Sequence, residues 1–427
     1  MNEEMYMSIR LMAAVLLLSV GSVAHGETPL LAATITLRDA EQLALERDVS
    51  ALQWSAQAEA MREQAVAAGQ LPDPKLTVGV MSLPLDTLDR AQEPMTQLAV
   101  GVSQAFPPGA TLRHQSDRAA YIGEAASAEA AERRLRVLRE TRLAYLDLYL
   151  QQATLDIVID SQAVFGDLVA ITESLYRAGR NKLQDVLRAQ LELSLLADRE
   201  TGVRGEHDAA RAVLERWTGP LSAEELRISA VELDAPPPRS GLLDRLAMHP
   251  VLEAASARTA AAQAGVRVAR EQYKPGWMLG VTYGDRTGNN ANGSQRADFL
   301  SAVITLDVPL FTGKRQDRRL AASIRETEAS QYARDDTYRE LLRMLESDYP
   351  RWQSLSGRVR GFETRILPEA HGNSTAALSA YRNGVTDFTT VMRAYLMELD
   401  NQLQALRTAV ERDKVNTRLM YIAGERQ

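Results

Sequence analysis

Apolar residues along this chain recur with two different periods, and the period switches four times. From Thr36 an Ala-rich pattern of helical spacing runs to Leu71-Pro72-Asp73-Pro74, where proline disfavours further helix. The spacing then drops to two: Leu76, Val78 and Val80 alternate with Thr77, Gly79 and Met81, and Leu98, Val100 and Val102 with Ala99, Gly101 and Ser103. Helical spacing returns after Phe106-Pro107-Pro108-Gly109. The same order recurs from Gly241. A helical pattern stops at Pro275, and Trp277, Leu279, Val281 and Tyr283 alternate with Met278, Gly280 and Thr282. A second alternating run, Leu300 to Val308, ends at Pro309-Leu310-Phe311-Thr312-Gly313. The alternation predicts four strands, two in each half. Polar loops, Ser82 to Pro94 and Gly284 to Asp298, join each pair.

The longest helical patterns follow each strand pair. They run 70 residues from Gly109 to Gly179 and 71 from Gly313 to Gly384. About 60 helical residues would reach ~90 Å. In the first, Leu143, Leu146, Leu150, Ala153 and Ile157, then Val164, Leu168, Ile171 and Leu175, step by three and four. Met392, Leu396, Leu399, Leu403, Leu406 and Val410 do so after the second. Such spacing predicts side-by-side coiled-coil packing. Both patterns end in one repeated stretch, YRAGRNKLQDVLRAQL from Tyr176 and YRNGVTDFTTVMRAYL from Tyr381, aligned at an offset of 205. Gly179 and Gly384 stand where a left-handed residue would close each helix. Each stretch is therefore expected to be the turn of a long helical hairpin.

The halves divide the chain into a first repeat over 27–217, a connector over 218–240 containing Pro236-Pro237-Pro238, and a second repeat over 241–427. Residues 1–26 have the form of a secretory signal. A ten-residue apolar run, Leu11 to Val20, is too short to span a bilayer and precedes the small-residue site Ala24-His25-Gly26.

Composition narrows the chemistry. The net charge of −7 and the lack of a basic, aromatic-rich cluster argue against nucleic acid. No cysteine is present, which removes disulfides, thiolate metal sites and thiol nucleophiles. The five histidines, His25, His114, His207, His249 and His371, show no ligand spacing, and no phosphate loop, HExxH or GxSxG occurs. No catalytic, cofactor or metal site is expected, and the chain is not expected to be an enzyme.

Strands of this length with one apolar face suit a membrane barrel. Four strands cannot close one, and open edges are not tolerated in lipid, so several copies would have to contribute. The doubled order helix, Pro-stop, strand, loop, strand, Gly, long helix, YxxG turn, helix resembles the TolC family of outer-membrane efflux proteins over about Thr36 to Ile422. The segments LPDPKLTVGV and EPMTQLAVGVSQAFPPG look most like its heavy-metal branch (copper/silver or cobalt/zinc/cadmium).

The resemblance implies a mainly α fold with a β-barrel contribution, assembled as a homotrimer. A twelve-stranded barrel in outer-membrane lipid would continue into a twelve-helix periplasmic tunnel. It implies a passive exit duct in a Gram-negative outer membrane. The duct would carry metal ions or small toxic compounds from an inner-membrane transporter, of RND type, through a periplasmic adaptor. The adaptor-docking tips carried over by motif are Tyr176, Arg177, Gly179, Tyr381, Arg382 and Gly384. Asp185 matches an acidic position constricting the entrance. At the equivalent place the second copy has Thr390, with Arg393 where some relatives have an acid and Asp387 nearby as a substitute. The alternative is a periplasmic coiled-coil adaptor or scaffold without its own channel. Adaptors, however, usually carry one hairpin rather than two.

Overall fold

The computed structural model describes residues 34–221, 227–231 and 233–424; the signal-like run lies outside them. Strand β1 (Thr34–Ile35) leads into helix α1 (Leu37–Arg47), which Thr36 opens with a capping box. The Thr36 hydroxyl accepts from Asp39 N–H, and the Asp39 carboxylate accepts from Thr36 N–H. Bonded first by the Thr36 hydroxyl and then by its N–H, Asp39 is held below the usual carboxylate range.

The helical pattern expected to run unbroken from Thr36 divides at Asp48. That carboxylate caps helix α2 (Val49–Ala68) by accepting from Ser50 and Ala51 N–H, each at 3.2 Å. The second half divides in the same place. Helix α5 (Arg239–Leu246) stops before His249, 201 positions after Asp48, whose Nδ1 accepts from Val251 N–H to cap helix α6 (Pro250–Glu271).

Strands β2 (Lys75–Met81), β3 (Gln97–Phe106), β5 (Gly276–Asp285) and β6 (Phe299–Asp307) form one antiparallel sheet in the order β2-β3-β5-β6. The two-residue strand β4 (Arg227–Ile228) lies in the connector and pairs in parallel with β1. Register sorts the four-stranded sheet into two faces. Val78, Val100 and Tyr283 lie across from one another on one face, joined by Leu76, Val102, Val281 and Ala302, then by Leu279 with Ile304 and Trp277 with Leu306. Thr77, Gly101, Thr282 and Ser301 share the other, with Gly79, Gly280 and Thr305. Most of the large apolar side chains thus lie on one face, and the other is mainly small or polar but carries Met81, Met278, Phe299 and Val303. Gly101 is required by close approach: a Cβ there would sit 2.5 Å from Thr282 Oγ1.

The sheet gives way to helix α3 (Thr111–Arg177), 67 residues without interruption and ~100 Å long. Ala110 offers no side-chain cap, and Glu271 from the end of α6 supplies it instead by accepting from Ala110 N–H at 2.7 Å. Helix α4 (Leu183–Thr218) returns for 36 residues.

The second descent covers the same 67 residues, Gln316 to Arg382, but is built in three pieces. Helix α7 (Gln316–Gly361) passes through a π turn (Phe362–Ile366) into helix α8 (Leu367–Arg382). Pro368 explains the turn: in a regular helix its ring would meet the carbonyl four residues back. Widening to the five-residue bond, Leu367 N–H to the Phe362 carbonyl, makes room. Helix α9 (Phe388–Ala423) returns for 36 residues, as α4 does.

Packing corrects the expected stripe on α3. Leu146 and Leu168 are buried as expected, but Val164 is exposed, and the seam is carried by Ala144, Tyr145, Leu148, Val158, Phe165 and Thr172. A two-helix spacing rule fails because α3 packs against α1, α2, α4, α6 and α9 together. The α9 stripe is closer to expectation, with Met392, Leu399, Leu403 and Val410 buried. The Tyr145 hydroxyl donates to the Ile35 carbonyl at 2.8 Å, fixing the β1/β4 ribbon to α3.

A polar knot joins α3, α6 and α9. The Tyr421 hydroxyl donates to buried Glu132 at 2.7 Å, Arg139 lies over the Tyr421 ring, and His249 Nε2–H donates to the Tyr421 carbonyl at 3.1 Å. Burial is the main force holding the His249 pKa below its ordinary value of about 6.5, and Nδ1 is already engaged as an acceptor. The folded state therefore binds this proton less readily than the unfolded chain. Stability should be intact above about pH 6.5 and fall as pH drops below it. Thermal unfolding in detergent between pH 7.5 and 5 should show that decline. His249→Asn, which keeps a capping oxygen, should flatten it; an unchanged slope would contradict the assignment.

Candidate functional site

The two hairpin turns close with the same hydrogen bonds. At the first, Gly179 N–H donates to the Tyr176 carbonyl at 2.9 Å and Arg180 N–H to the Leu175 carbonyl at 2.9 Å. At the second, Gly384 N–H reaches Tyr381 at 3.0 Å and Val385 N–H reaches Ala380 at 2.9 Å. This is the Schellman closure, and it needs a left-handed residue: Gly179 has φ +71° and Gly384 φ +73°. Neither glycine has an atom within 4 Å of a hypothetical Cβ, so backbone conformation alone demands glycine here.

The repeated side chains have different surroundings. Tyr381 is buried against Phe388, with ring centroids 5.7 Å apart, whereas Tyr176 lies exposed at the first turn. Two hydrogen bonds tie the turns to each other. Asn181 Nδ2 donates to the Tyr381 hydroxyl at 2.6 Å, and Arg188 Nη1 donates to Thr389 Oγ1 at 2.7 Å. Burial, followed by the charge of Asp185, raises the Tyr381 pKa, so the phenol stays protonated. Sequence reasoning passed over Asn181 and Arg188 as bridging residues. Arg188 could have been found, since its identity with Arg393 in the other copy was visible.

Asp387 has a structural task. It is the N-cap of α9, accepting from Thr390 N–H at 2.8 Å and from the Thr390 hydroxyl at 2.9 Å. Those two bonds, the N–H first, hold its pKa below the usual range, with Arg393 and Arg188 adding to the effect. Two of the four expected entrance residues, Asp387 and Thr390, are thus engaged with each other. Asp185 stands in the first turn of α4.

Gly179, Asp185, Tyr381, Gly384 and Asp387 line one cleft of about 590 Å³ between the turns, together with Asn181 and Arg188. Tyr176, Arg177, Arg382, Thr390 and Arg393 are not part of its wall. Among the described residues no cluster of His, Asp and Glu could hold a metal ion.

At the other end of the molecule the apolar face of the sheet is open. Val78, Val100, Val281 and Ile304 are all exposed, and Phe106 stacks on Trp277 at 3.9 Å at the edge nearer the helices. Tyr283 marks the opposite edge, where the two loops are tied together. Arg90 pairs with Asp285 at 2.7 Å, and Arg296 Nη1 donates to the carbonyls of Ala91 and Glu93, each at 3.1 Å. No described helix is long and apolar enough to cross a membrane.

Residues 243–425 match the family model described as outer membrane efflux protein. The second half of the chain thus resembles that family in sequence. The family that this model describes is one of the outer membrane. The fold agrees over nearly the whole chain. The solved structure of CusC superposes with a TM-score of 0.76 at 16% identity, covering 91% of this chain and 92% of that one. VceC of Vibrio cholerae gives 0.74 at 20% identity, covering 91% and 96%. Among curated proteins, the alkaline protease secretion protein AprF of Pseudomonas aeruginosa is 25% identical over 230 residues. That match spans 52% of this chain and 48% of AprF, about half the length of the relative.

Proposed function

We propose that the protein is the outer-membrane exit duct of a tripartite efflux system, built from three copies of the chain. The observation that carries this reading is the two-faced sheet. Edge strands β2 and β6 each have one unpaired edge, most of the large apolar side chains share one face, and the other face is mainly small and polar. Such a sheet is satisfied in lipid only when copies pair edge to edge into a closed barrel. Three copies give twelve strands. In this reading the chain is two repeats, 27–217 and 241–427, about the connector 218–240. The hairpins descend to meet a periplasmic adaptor, and an RND-type inner-membrane transporter supplies the energy. The duct itself is passive.

The cargo we favour is metal ions, copper/silver or cobalt/zinc/cadmium, or small toxic compounds. The segments LPDPKLTVGV and EPMTQLAVGVSQAFPPG and the likeness to CusC support it. The match to AprF, a secretion protein, supports export of a polypeptide as a second reading. A deletion strain challenged with copper, cobalt, zinc and cadmium salts and assayed for secreted protein separates the two. The duct reading itself predicts a heat-sensitive trimer in outer-membrane fractions, and a monodisperse soluble monomer would refute it.

At the tips, Tyr176, Arg177, Gly179, Tyr381, Arg382 and Gly384 form the adaptor-docking surface in this reading, and Asp185 constricts the entrance. Gly384→Val forces a β-branched residue to φ +73°, at about 1–2 kcal/mol of backbone strain. It should distort the turn and lower export several-fold while the trimer persists. Asp185→Ala should do the same without straining the backbone. Export rates in cells, read beside trimer content on unheated gels, decide the matter. Wild-type export in both variants would remove the tips from the mechanism.

A further inference from the structure

The charges of this chain are not spread evenly along it. Over Tyr176–Leu191 the cations Arg177, Arg180, Lys182 and Arg188 stand against one acid, Asp185. Over Tyr381–Leu396, Arg382 and Arg393 stand against Asp387. The two turns together carry a net +4, although the whole chain is −7, so the rest of it holds −11. Five of the six cations are exposed, and Arg188 is half-buried. None of them makes an ion pair among the described residues, whereas farther along the helices Arg204, Arg211, Arg351 and Arg418 each hold a carboxylate. Arg188 is bonded to a neutral hydroxyl, Thr389 Oγ1, which leaves its charge in place.

We propose that these cations make the tip end of the duct selective for anions. The inference rests on the duct reading, in which Asp185 constricts the entrance, and adds to it the charge of what passes. Where sections of a duct lie in series, the narrowest one selects. There a solute runs within about a Debye length of the wall, ~10 Å at 0.1 M salt. Three copies set the same net charge three times around one opening, and walls of low dielectric strengthen its field. Rings of arginine and lysine favour anions, as rings of carboxylates favour cations.

The placement of the groups supports this. Arg180, Lys182 and Arg188 line the cleft between the turns, with Asp185 and Asp387 as its acids. Asp387 is engaged as a cap with Thr390 rather than with a guanidinium, and Arg393 stands where an acid was expected. The sheet adds no preference of its own. Its mainly small and polar face carries one cation and one acid, Lys75 and Asp307, both at the edge nearer the helices. A bare divalent cation is thus repelled at the mouth, and a metal ion passes as part of a complex of net negative charge.

The test is the reversal potential of the purified trimer in planar bilayers under a KCl gradient. It should have the sign of chloride preference and shrink as total salt rises, because exposed charges are screened. Arg180→Gln combined with Lys182→Gln removes two of the net four charges in each chain and should roughly halve the shift. Asp185→Asn should enlarge it. Added on the tip side, the trivalent anion hexacyanocobaltate(III) should reduce the current, and the trivalent cation hexaamminecobalt(III) should not. Potassium preference in the wild type, or a reversal potential that neither variant moves, overturns this inference alone. So does loss of export in the double variant with selectivity unchanged, which would assign the cations to docking of an acidic protein. A monomer without conductance overturns both the inference and the duct reading.

Discussion

Val281→Arg should remove the protein from the outer membrane, whereas Thr282→Arg, the next residue along, should leave it there. Val281 lies in β5, which is paired on both sides, between Val102 of β3 and Ala302 of β6 on the apolar face. In the proposed barrel, an arginine on the lipid face near the membrane midplane costs about 2–4 kcal/mol in each chain. With three copies the cost is incurred three times in one barrel. Thr282 faces the other way, between Gly101 and Ser301, where an arginine has water. Outer-membrane content and heat-sensitive trimer should therefore collapse in the first variant and persist in the second, with conductance lowered in planar bilayers. Equal behaviour of the two variants would mean that the faces are assigned wrongly.

Shortening one hairpin alone should be more damaging than shortening both. Removing seven residues from each arm of the first hairpin, in α3 and α4, draws its tip back by ~10 Å while the second stays in place. The bonds Asn181–Tyr381 and Arg188–Thr389 and the edge contact of Phe165 with Tyr395, within the cluster the two hairpins share, would then be lost together. Each large apolar side chain uncovered in this way costs roughly 1.5–3 kcal/mol. A matching deletion in α8 and α9 restores the alignment. The single deletion should yield little trimer and a protease-sensitive tip. The paired deletion should recover the trimer but not export, since both tips would stop short of the proposed adaptor. Normal trimer from the single deletion would show that the two hairpins are not held to a common length.

Much of the architecture could be read before any coordinates. The four strands fall within a few residues of the alternating runs because proline and glycine bound each run and the period of two fixes the faces. The turns were legible for a similar reason: a glycine ending a long helical pattern has few alternatives. What escaped was whatever depends on more than one neighbour. The breaks at Asp48 and His249 leave the apolar spacing almost undisturbed, so periodicity passed over them, although Asp48 is a strong capping residue. The stripe on α3 was only partly right because that helix serves several partners. Asp387 looked like a free acid and is a cap, a distinction made by an N–H three residues away. The unequal exposure of Tyr176 and Tyr381 has no local signature, since it arises from which hairpin lies beside each.

The π turn at Phe362–Ile366 has a mechanical consequence. It divides the second descending arm about three-quarters of the way down and leaves the 16-residue helix α8 as a lever ~24 Å long. A bend of about 10° at a widened turn carries the end of such a lever about 4 Å sideways, a deflection that an unbroken helix would have to spread over its whole length. The first hairpin, with its continuous α3, has no such joint. Of two arms with the same number of residues, one is a strut and the other is hinged near its tip.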